Sequence, residues 1–139
     1  MPQMFVNLAV SDFELSKQFY TAIGFTLNPA FSDHNAACFV VDDGHNYFMI
    51  HTRDYFQTFT ELPLGDPAVN PTSSVAIFLD SKQAVDATVE AGIAAGGTQP
   101  QEATDYGFMY QRPLTDPSGN VVDFGWMDPV AAEQGPPAN

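Results

Sequence analysis

The sequence predicts one domain of the α+β class, built from two copies of a unit in which a strand and a helix precede further strands. The chain has 139 residues, of which 45% are hydrophobic, and this suffices for one buried core. Residues 5–12 align with residues 74–81, and residues 42–49 align with residues 116–123. Such an internal repeat indicates that each half has an apolar sheet face, which the two halves bury together.

The first unit covers about residues 4–52. It begins with a strand at residues 4–10, because apolar residues dominate this stretch. A Ser-Asp pair then caps a helix, and Gly24 ends it. Three more strands are predicted at residues 25–31, with an interruption at Pro29, at 36–41 and at 46–52.

The second unit covers about residues 72–127 and follows an irregular linker at residues 53–71. The linker contains several Pro and Gly residues and has room for one short helix at its start. The tail at residues 128–139 is rich in Pro, Gly and Ala, and is expected to be flexible. Within the second unit, the pattern predicts a strand at 73–80, a helix from Ser81 to about residue 95, and strands at 106–112 and 121–126.

The charge balance argues against nucleic-acid and membrane partners. The net charge is −13, and the only basic residues are Lys17, Arg53, Lys82 and Arg112. Such a chain repels phosphate backbones and anionic lipid. The N-terminus shows no signal-peptide pattern, and the single Cys38 lies in an apolar run where it fits a small buried hydrophobe. We therefore expect a cytoplasmic protein without a disulfide.

Two motifs carry a resemblance to a known family. Residues 10–25 contain a strand end, an aspartate-capped helix, a Phe-Tyr pair and a Gly-Phe pair. This motif resembles the opening of vicinal-oxygen-chelate domains, the superfamily of glyoxalases, bleomycin-resistance proteins and extradiol dioxygenases. The Asp-Pro-Ser-Gly-Asn turn at 116–120 is similar to that family's closing turn. The resemblance covers about residues 4–127. It implies two βαβββ modules that form a curved mixed sheet around a cleft, with the helices outside.

The resemblance also implies where metal ligands would lie, namely on the first and last strand of each module. These positions fall on Phe5, Met49, Ser74 and Asp123. A catalytic divalent ion needs several converging nitrogen or oxygen donors, and among these residues only Asp123 is a good one. The sequence therefore predicts no full metal site, and no cofactor is expected.

If the ligand positions on the first module are shifted by two residues, an alternative metal site remains open. Asn7 and His51 lie two positions after Phe5 and Met49, so they share the same strand faces. Together with Asp123 they would form a weak, atypical divalent-metal site. Without a metal, Asp123 is the candidate general base, or a polar contact in an otherwise apolar cleft.

An aromatic segment supplies the remaining candidates for ligand binding. By strand alternation Tyr106, Phe108, Tyr110 and Arg112 share one face of the strand predicted at 106–112. Aromatic rings beside one arginine suit a flat or anionic organic ligand, whose carboxylate the guanidinium would clamp. The competing interpretation is a core strand that carries a surface arginine.

The resemblance and these residues together favour a protein that acts on, or binds, a small organic molecule in a central cleft. One alternative is a non-catalytic drug-binding or resistance protein. Another is a metal-dependent lyase or dioxygenase with an atypical Asn/His/Asp site. A structural or regulatory domain with an empty cleft is a further hypothesis. Relatives of the resistance type imply a homodimer, and whether the chain is an enzyme stays open at this point.

Overall fold

The computed structural model describes residues 1–138 as two four-stranded sheets with flanking helices. Short 3-10 turns at Pro29–Phe31 and Gln57–Phe59 complete the secondary structure. The strands and helices, in chain order, are β1 (Met4–Val10), α1 (Phe13–Ala22), β2 (Thr26–Asn28), β3 (Ala36–Asp42), β4 (Asn46–Thr52), α2 (Arg53–Phe56), β5 (Ser74–Phe78), α3 (Lys82–Ala94), β6 (Thr104–Asp105), β7 (Met109–Arg112), β8 (Val121–Met127) and α4 (Pro129–Gln134).

The two sheets have the same topology. Their strand orders are β1-β4-β3-β2 and β5-β8-β7-β6, and in each sheet the first and last strands of the module pair in parallel while the other pairs are antiparallel. Each half is therefore one βαβββ module. The α+β class and the repeated unit expected from the sequence are confirmed.

Both long helices begin where the sequence places a polar cap. The Asp12 carboxylate accepts a hydrogen bond from the Leu15 backbone N–H, and the Ser81 hydroxyl accepts one from the Ala84 N–H. Each side chain thereby satisfies a backbone donor that has no partner inside the helix. The helices of the two modules approach closely at Gly92 of α3, where an added Cβ would lie 3.1 Å from the Phe19 side chain of α1.

One face of each sheet packs against α1 and α3, and we call it the covered face. A single hydrophobic cluster joins this face of both modules to the two helices. Because side chains alternate along a strand, the other side, which we call the open face, carries the intervening residues. The covered face carries Leu8, Val10, Phe48, Ile50, Val122 and Phe124. The open face carries Phe5, Asn7, Tyr47, Met49, His51, Ser74, Phe78 and Asp123.

A buried hydrogen-bond network fastens the closing turn of module two onto module one. The Tyr20 hydroxyl of α1 donates to the Asp116 carboxylate at 2.8 Å, and both side chains are buried. The Asn120 side chain donates to the Ala9 carbonyl of β1 at 3.0 Å. Gly119 has φ +96°, and an added Cβ would lie 2.6 Å from backbone atoms of Ala68, so this turn requires glycine.

The structure differs from the sequence expectations in three places. The strand predicted at 25–31 ends at Asn28, where a 3-10 turn begins. The strand predicted at 106–112 is shorter than expected, because β7 begins at Met109 and the turn at Gly107, with φ +83°, separates it from β6. The tail, expected to be flexible, contains α4, whose first turn is capped by the Asp128 side chain and whose Ala131 is buried. Residue 139 lies outside the described residues. Among residues 1–138, no helix has the length and apolar character that crossing a membrane requires.

Candidate functional site

Asn7 and His51 lie side by side on the open face of module one. They belong to the neighbouring strands β1 and β4, and the His51 Nε2 atom lies 2.9 Å from the Asn7 Oδ1 atom. The Asn7 amide nitrogen donates to the Phe5 carbonyl at 3.4 Å, which directs the amide oxygen towards the ring. An amide oxygen only accepts hydrogen bonds, so this arrangement places the imidazole proton on Nε2.

The His51 ring is enclosed by aromatic side chains. It is only 3% exposed, and its centroid lies 5.2–5.8 Å from those of Tyr55, Phe56 and Phe59. This burial lowers the pKa of the imidazole below its ordinary value. The Nδ1 atom has no hydrogen-bond partner within residues 1–138. His51 is therefore a neutral imidazole with one enclosed acceptor nitrogen that the rest of the chain leaves unused.

Asp123 lies on the open face of the other sheet. Its carboxylate accepts hydrogen bonds from the Ser74 hydroxyl at 3.0 Å and from the Leu114 backbone N–H at 3.2 Å. Asp123 and Ser74 line a wide cavity of about 690 Å³. Of the three residues of the alternative metal site, Asn7 and His51 contact each other, whereas Asp123 contacts Ser74 and Leu114.

Tyr110 and Arg112 do not line the open face, and the prediction that they share a cleft with Asn7 and Asp123 is wrong. Both point to the covered side, where the Tyr110 hydroxyl donates to Asp86 of α3 at 2.6 Å. The Arg112 guanidinium pairs with Asp86 at 3.0 Å and with Glu90 at 2.7 Å. The Tyr110 hydrogen bond, and then the arginine, lower the pKa of the Asp86 carboxyl. The guanidinium that was expected to clamp a ligand is held by in-chain carboxylates.

Tyr106 and Phe108 also differ from the expected strand arrangement. They lie in the loop between β6 and β7, with stacked rings whose centroids are 6.0 Å apart. Tyr106 is 60% exposed. The turn at Gly107 removes them from the face that Tyr110 and Arg112 share, so the four residues do not form one aromatic platform.

The four positions that the resemblance implies for metal ligands do not suit a divalent metal here. Phe5 stacks on Tyr47 with a centroid distance of 4.6 Å, and Met49 offers only a thioether. Ser74 is hydrogen-bonded to Asp123, the one good donor of the set. In the part of the chain that the structure describes, no three His, Cys, Asp or Glu side chains converge closely enough to hold a metal ion.

A second cavity, which the sequence did not indicate, adjoins Asn7. It has a volume of about 280 Å³ and lies between β1, the start of α2, the linker and the residues that begin β8. Its apolar lining includes Phe56, Leu64, Pro67 and Pro71, and its polar lining includes Asn7, Arg53, Asn70, Thr72, Ser73 and Asn120. No sequence motif marks Arg53, because its surroundings depend on how the linker folds back over β1.

Solved structures with this fold cover nearly the whole chain. A hypothetical protein from S. aureus is 25% identical, with a TM-score of 0.75 over 91% of this chain and 94% of that chain. A glyoxalase/bleomycin resistance protein from Albidiferax ferrireducens T118 is 26% identical, with a TM-score of 0.63 over 88% and 95% of the two chains. In addition, residues 3–42 match the family described as bleomycin resistance protein-like N-terminal. These similarities support the vicinal-oxygen-chelate superfamily as the family of this chain.

The resemblance drawn from the two sequence motifs is confirmed by these similarities. The fosfomycin resistance protein FosX from Mesorhizobium loti shares the fold with a TM-score of 0.68 over 95% of this chain and 97% of its own, although only 10% of residues are identical. Among curated proteins, none matches the sequence significantly. The fold is thus established, whereas the chemistry has to be argued from the site.

Proposed function

We propose that this protein binds a small organic molecule on the open face, around Asn7 and His51, and does so without a stably bound divalent metal. The observation that carries the proposal is the enclosed, unpartnered Nδ1 atom of His51. Buried polar atoms in native proteins are nearly always hydrogen-bonded, so an orphaned acceptor points to a missing partner. A ligand hydroxyl or N–H group would supply that partner.

The surroundings of His51 suit an organic ligand. Tyr55 and Phe59 carry large exposed fractions, 38% and 53%, and present ring surface beside the imidazole. Aromatic rings with a few placed polar groups are the usual composition of small-molecule sites. Because Nδ1 is enclosed, the ligand reaches it when the aromatic segment 53–59 shifts. Asn7 then keeps the ring in one orientation during binding.

Binding without catalysis explains the donor set more simply than a metal-dependent lyase or dioxygenase. An atypical Asn/His/Asp metal site would need its three side chains to converge, but Asp123 lies on the other sheet, and the His51 Nε2 atom that faces Asn7 is already hydrogen-bonded to it. Asp123 remains the candidate general base for an enzymatic version of this function, because it lines an open cavity. A drug-binding or resistance protein is the version that keeps the hydrogen bonds of His51 with Asn7 and of Asp123 with Ser74.

A second copy of the chain is the proposed partner of the open face. Phe5 and Phe78 lie on this face and are 46% and 43% exposed. Apolar side chains that line one side of a sheet favour association with another surface. We therefore expect a homodimer in the cytoplasm, and light scattering after size exclusion tests it. Phe5→Glu combined with Phe78→Glu would give the monomer.

The proposed function is tested by amide NMR spectra of the protein with a library of small organic fragments. Binders should shift signals of β1, β4 and the segment 53–59. His51→Gln should weaken the affinity for these fragments by about tenfold, since one buried hydrogen bond to the ligand is lost. His34→Gln, which changes an exposed histidine, is the matched control and should leave binding unchanged. Fragments that bind equally to the His51 variant, or a library without a single binder, would contradict the proposal.

A further inference from the structure

Beyond the proposed function, and resting on it, we infer that the ligand is a small organic carboxylate and that Arg53 anchors it in the 280 Å³ cavity beside Asn7. The cavity is just below the ~300–1,000 Å³ of drug-sized sites, which limits the ligand to a compact molecule. Phe56, Leu64 and Pro71 offer an apolar wall for its hydrocarbon part. The inference depends on the charge of the cavity and on the free hydrogen-bond donors of Arg53.

Arg53 differs from the other three basic residues of the chain in its partners. Lys17 pairs with Glu14 at 3.4 Å, Lys82 with Asp105 at 3.2 Å, and Arg112 with two carboxylates. Within residues 1–138, no carboxylate oxygen lies within ion-pair distance of Arg53. In a chain with 17 acidic and 4 basic residues, an unpaired arginine is unexpected from composition alone.

The donors that remain on Arg53 have the shape of a carboxylate clamp. Its Nη1 atom donates to the Gly65 carbonyl at 3.0 Å, which fixes the side chain against the linker. The Nε and Nη2 atoms make no hydrogen bond within the described residues. Two parallel N–H groups of one guanidinium match the two oxygens of a carboxylate, and this pairing is among the strongest charge-assisted contacts.

The cavity is free of negative charge although the protein is strongly acidic. None of the residues that line it is Asp or Glu, whereas the 690 Å³ cavity contains Asp116 and Asp123. Asp66 lines an adjoining cavity that Arg53 also lines, but within residues 1–138 the two side chains form no ion pair. At physiological ionic strength the distant acids are screened beyond ~8 Å, so the local surroundings decide which ligand charge is accepted.

The test uses sodium benzoate as the probe and benzamide as its neutral counterpart of nearly the same shape. Amide NMR titrations of the full chain should show benzoate shifting signals near Arg53, Asn70 and Asn120, with benzamide at least about tenfold weaker. Arg53→Gln should weaken benzoate by about 10- to 100-fold, and Arg53→Lys by less, because lysine keeps the charge but not the fork. Lys17→Gln removes a distant positive charge and should change nothing.

The outcomes separate this inference from the proposed function. If benzamide binds as well as benzoate, or if Arg53→Gln leaves benzoate unaffected, the carboxylate assignment is overturned, while neutral fragments that depend on His51 would keep the proposed function. If benzoate at tens of millimolar shifts no amide signals, the carboxylate assignment is also overturned. Thermal unfolding of the ligand-free Arg53→Gln variant should match that of the unmodified protein, and this excludes misfolding as the cause of lost binding.

Discussion

Polar side chains on the two faces of the sheets differ in whether they have hydrogen-bond partners within the chain. On the covered face, Tyr110 and Arg112 are bonded to Asp86 and Glu90, and the buried Tyr20 hydroxyl is bonded to Asp116. On the open side, the His51 Nδ1 atom has no partner, and two nitrogens of Arg53 have none within residues 1–138. Helices α1 and α3 supply the partners on the covered side.

Because of this difference, substitutions on the two faces should change different properties of the protein. Removing a polar group from the covered face leaves its partner unsatisfied, so the free energy of unfolding should fall. Removing one from the open side breaks few contacts within the chain, so it should change ligand binding instead.

Tyr20→Phe should lower the free energy of unfolding by about 2 kcal/mol, because a buried carboxylate loses a hydrogen-bond donor. Urea denaturation measures it, and Tyr106→Phe, at an exposed position, is the matched control. A loss below that of the control would show that the covered face does not depend on this bond.

The same pair of variants gives a pH prediction. Burial, and then the Asp116 charge and hydrogen bond, raise the pKa of the Tyr20 hydroxyl well above its ordinary value. The folded state therefore holds the proton more tightly than the unfolded chain, whose tyrosine pKa is about 10. The stabilisation is complete below that pH and is lost as the pH rises above it. The stability gap between the unmodified protein and Tyr20→Phe should accordingly shrink above about pH 10.

Arg112→Met should lower the free energy of unfolding by about 1–2 kcal/mol. The guanidinium is largely buried, but its partners Asp86 and Glu90 are half exposed or more, and water screens part of the attraction. Arg53→Met is the comparison on the open side and should cost less than about 0.5 kcal/mol. Equal losses for the two arginines would remove the distinction between the faces.

The smallest expected effect concerns His51. Burial lowers the pKa of its imidazole, so protonation favours the unfolded chain, whose histidine pKa is about 6.5. Its contribution to stability is present above that pH and is lost as the pH falls below it. Below about pH 6.5 the unmodified protein should therefore lose stability relative to His51→Gln, by less than about 1 kcal/mol. His34→Gln should follow the unmodified protein in the same denaturation series.

The sequence predicted the elements better than their surroundings. The strand at 46–52 and the two capped helices follow from local patterns of apolar and capping residues, and β4, α1 and α3 have nearly the expected bounds. Tail helix α4 was missed because its stabilising contact is tertiary: Ala131 is buried although its neighbours are exposed.

The site was harder to predict because strand parity shows which residues share a face but not which face the helices cover. Asn7 and His51 lie together, as their positions on adjacent strands indicated. Tyr110 and Arg112 also share a face, yet it is the one that α3 covers. Arg53 carries no motif, and its lack of a carboxylate partner follows only from the folded linker.

The metal content of the purified protein tests the central proposal most directly. Protein prepared without chelator, and then loaded with nickel, zinc, manganese or iron(II), is measured by mass spectrometry beside the His51→Gln variant. We expect far less than one metal ion per chain in every case, with no difference between the two proteins. One tightly held ion per chain that disappears in the His51 variant would contradict it and favour a metal-dependent enzyme.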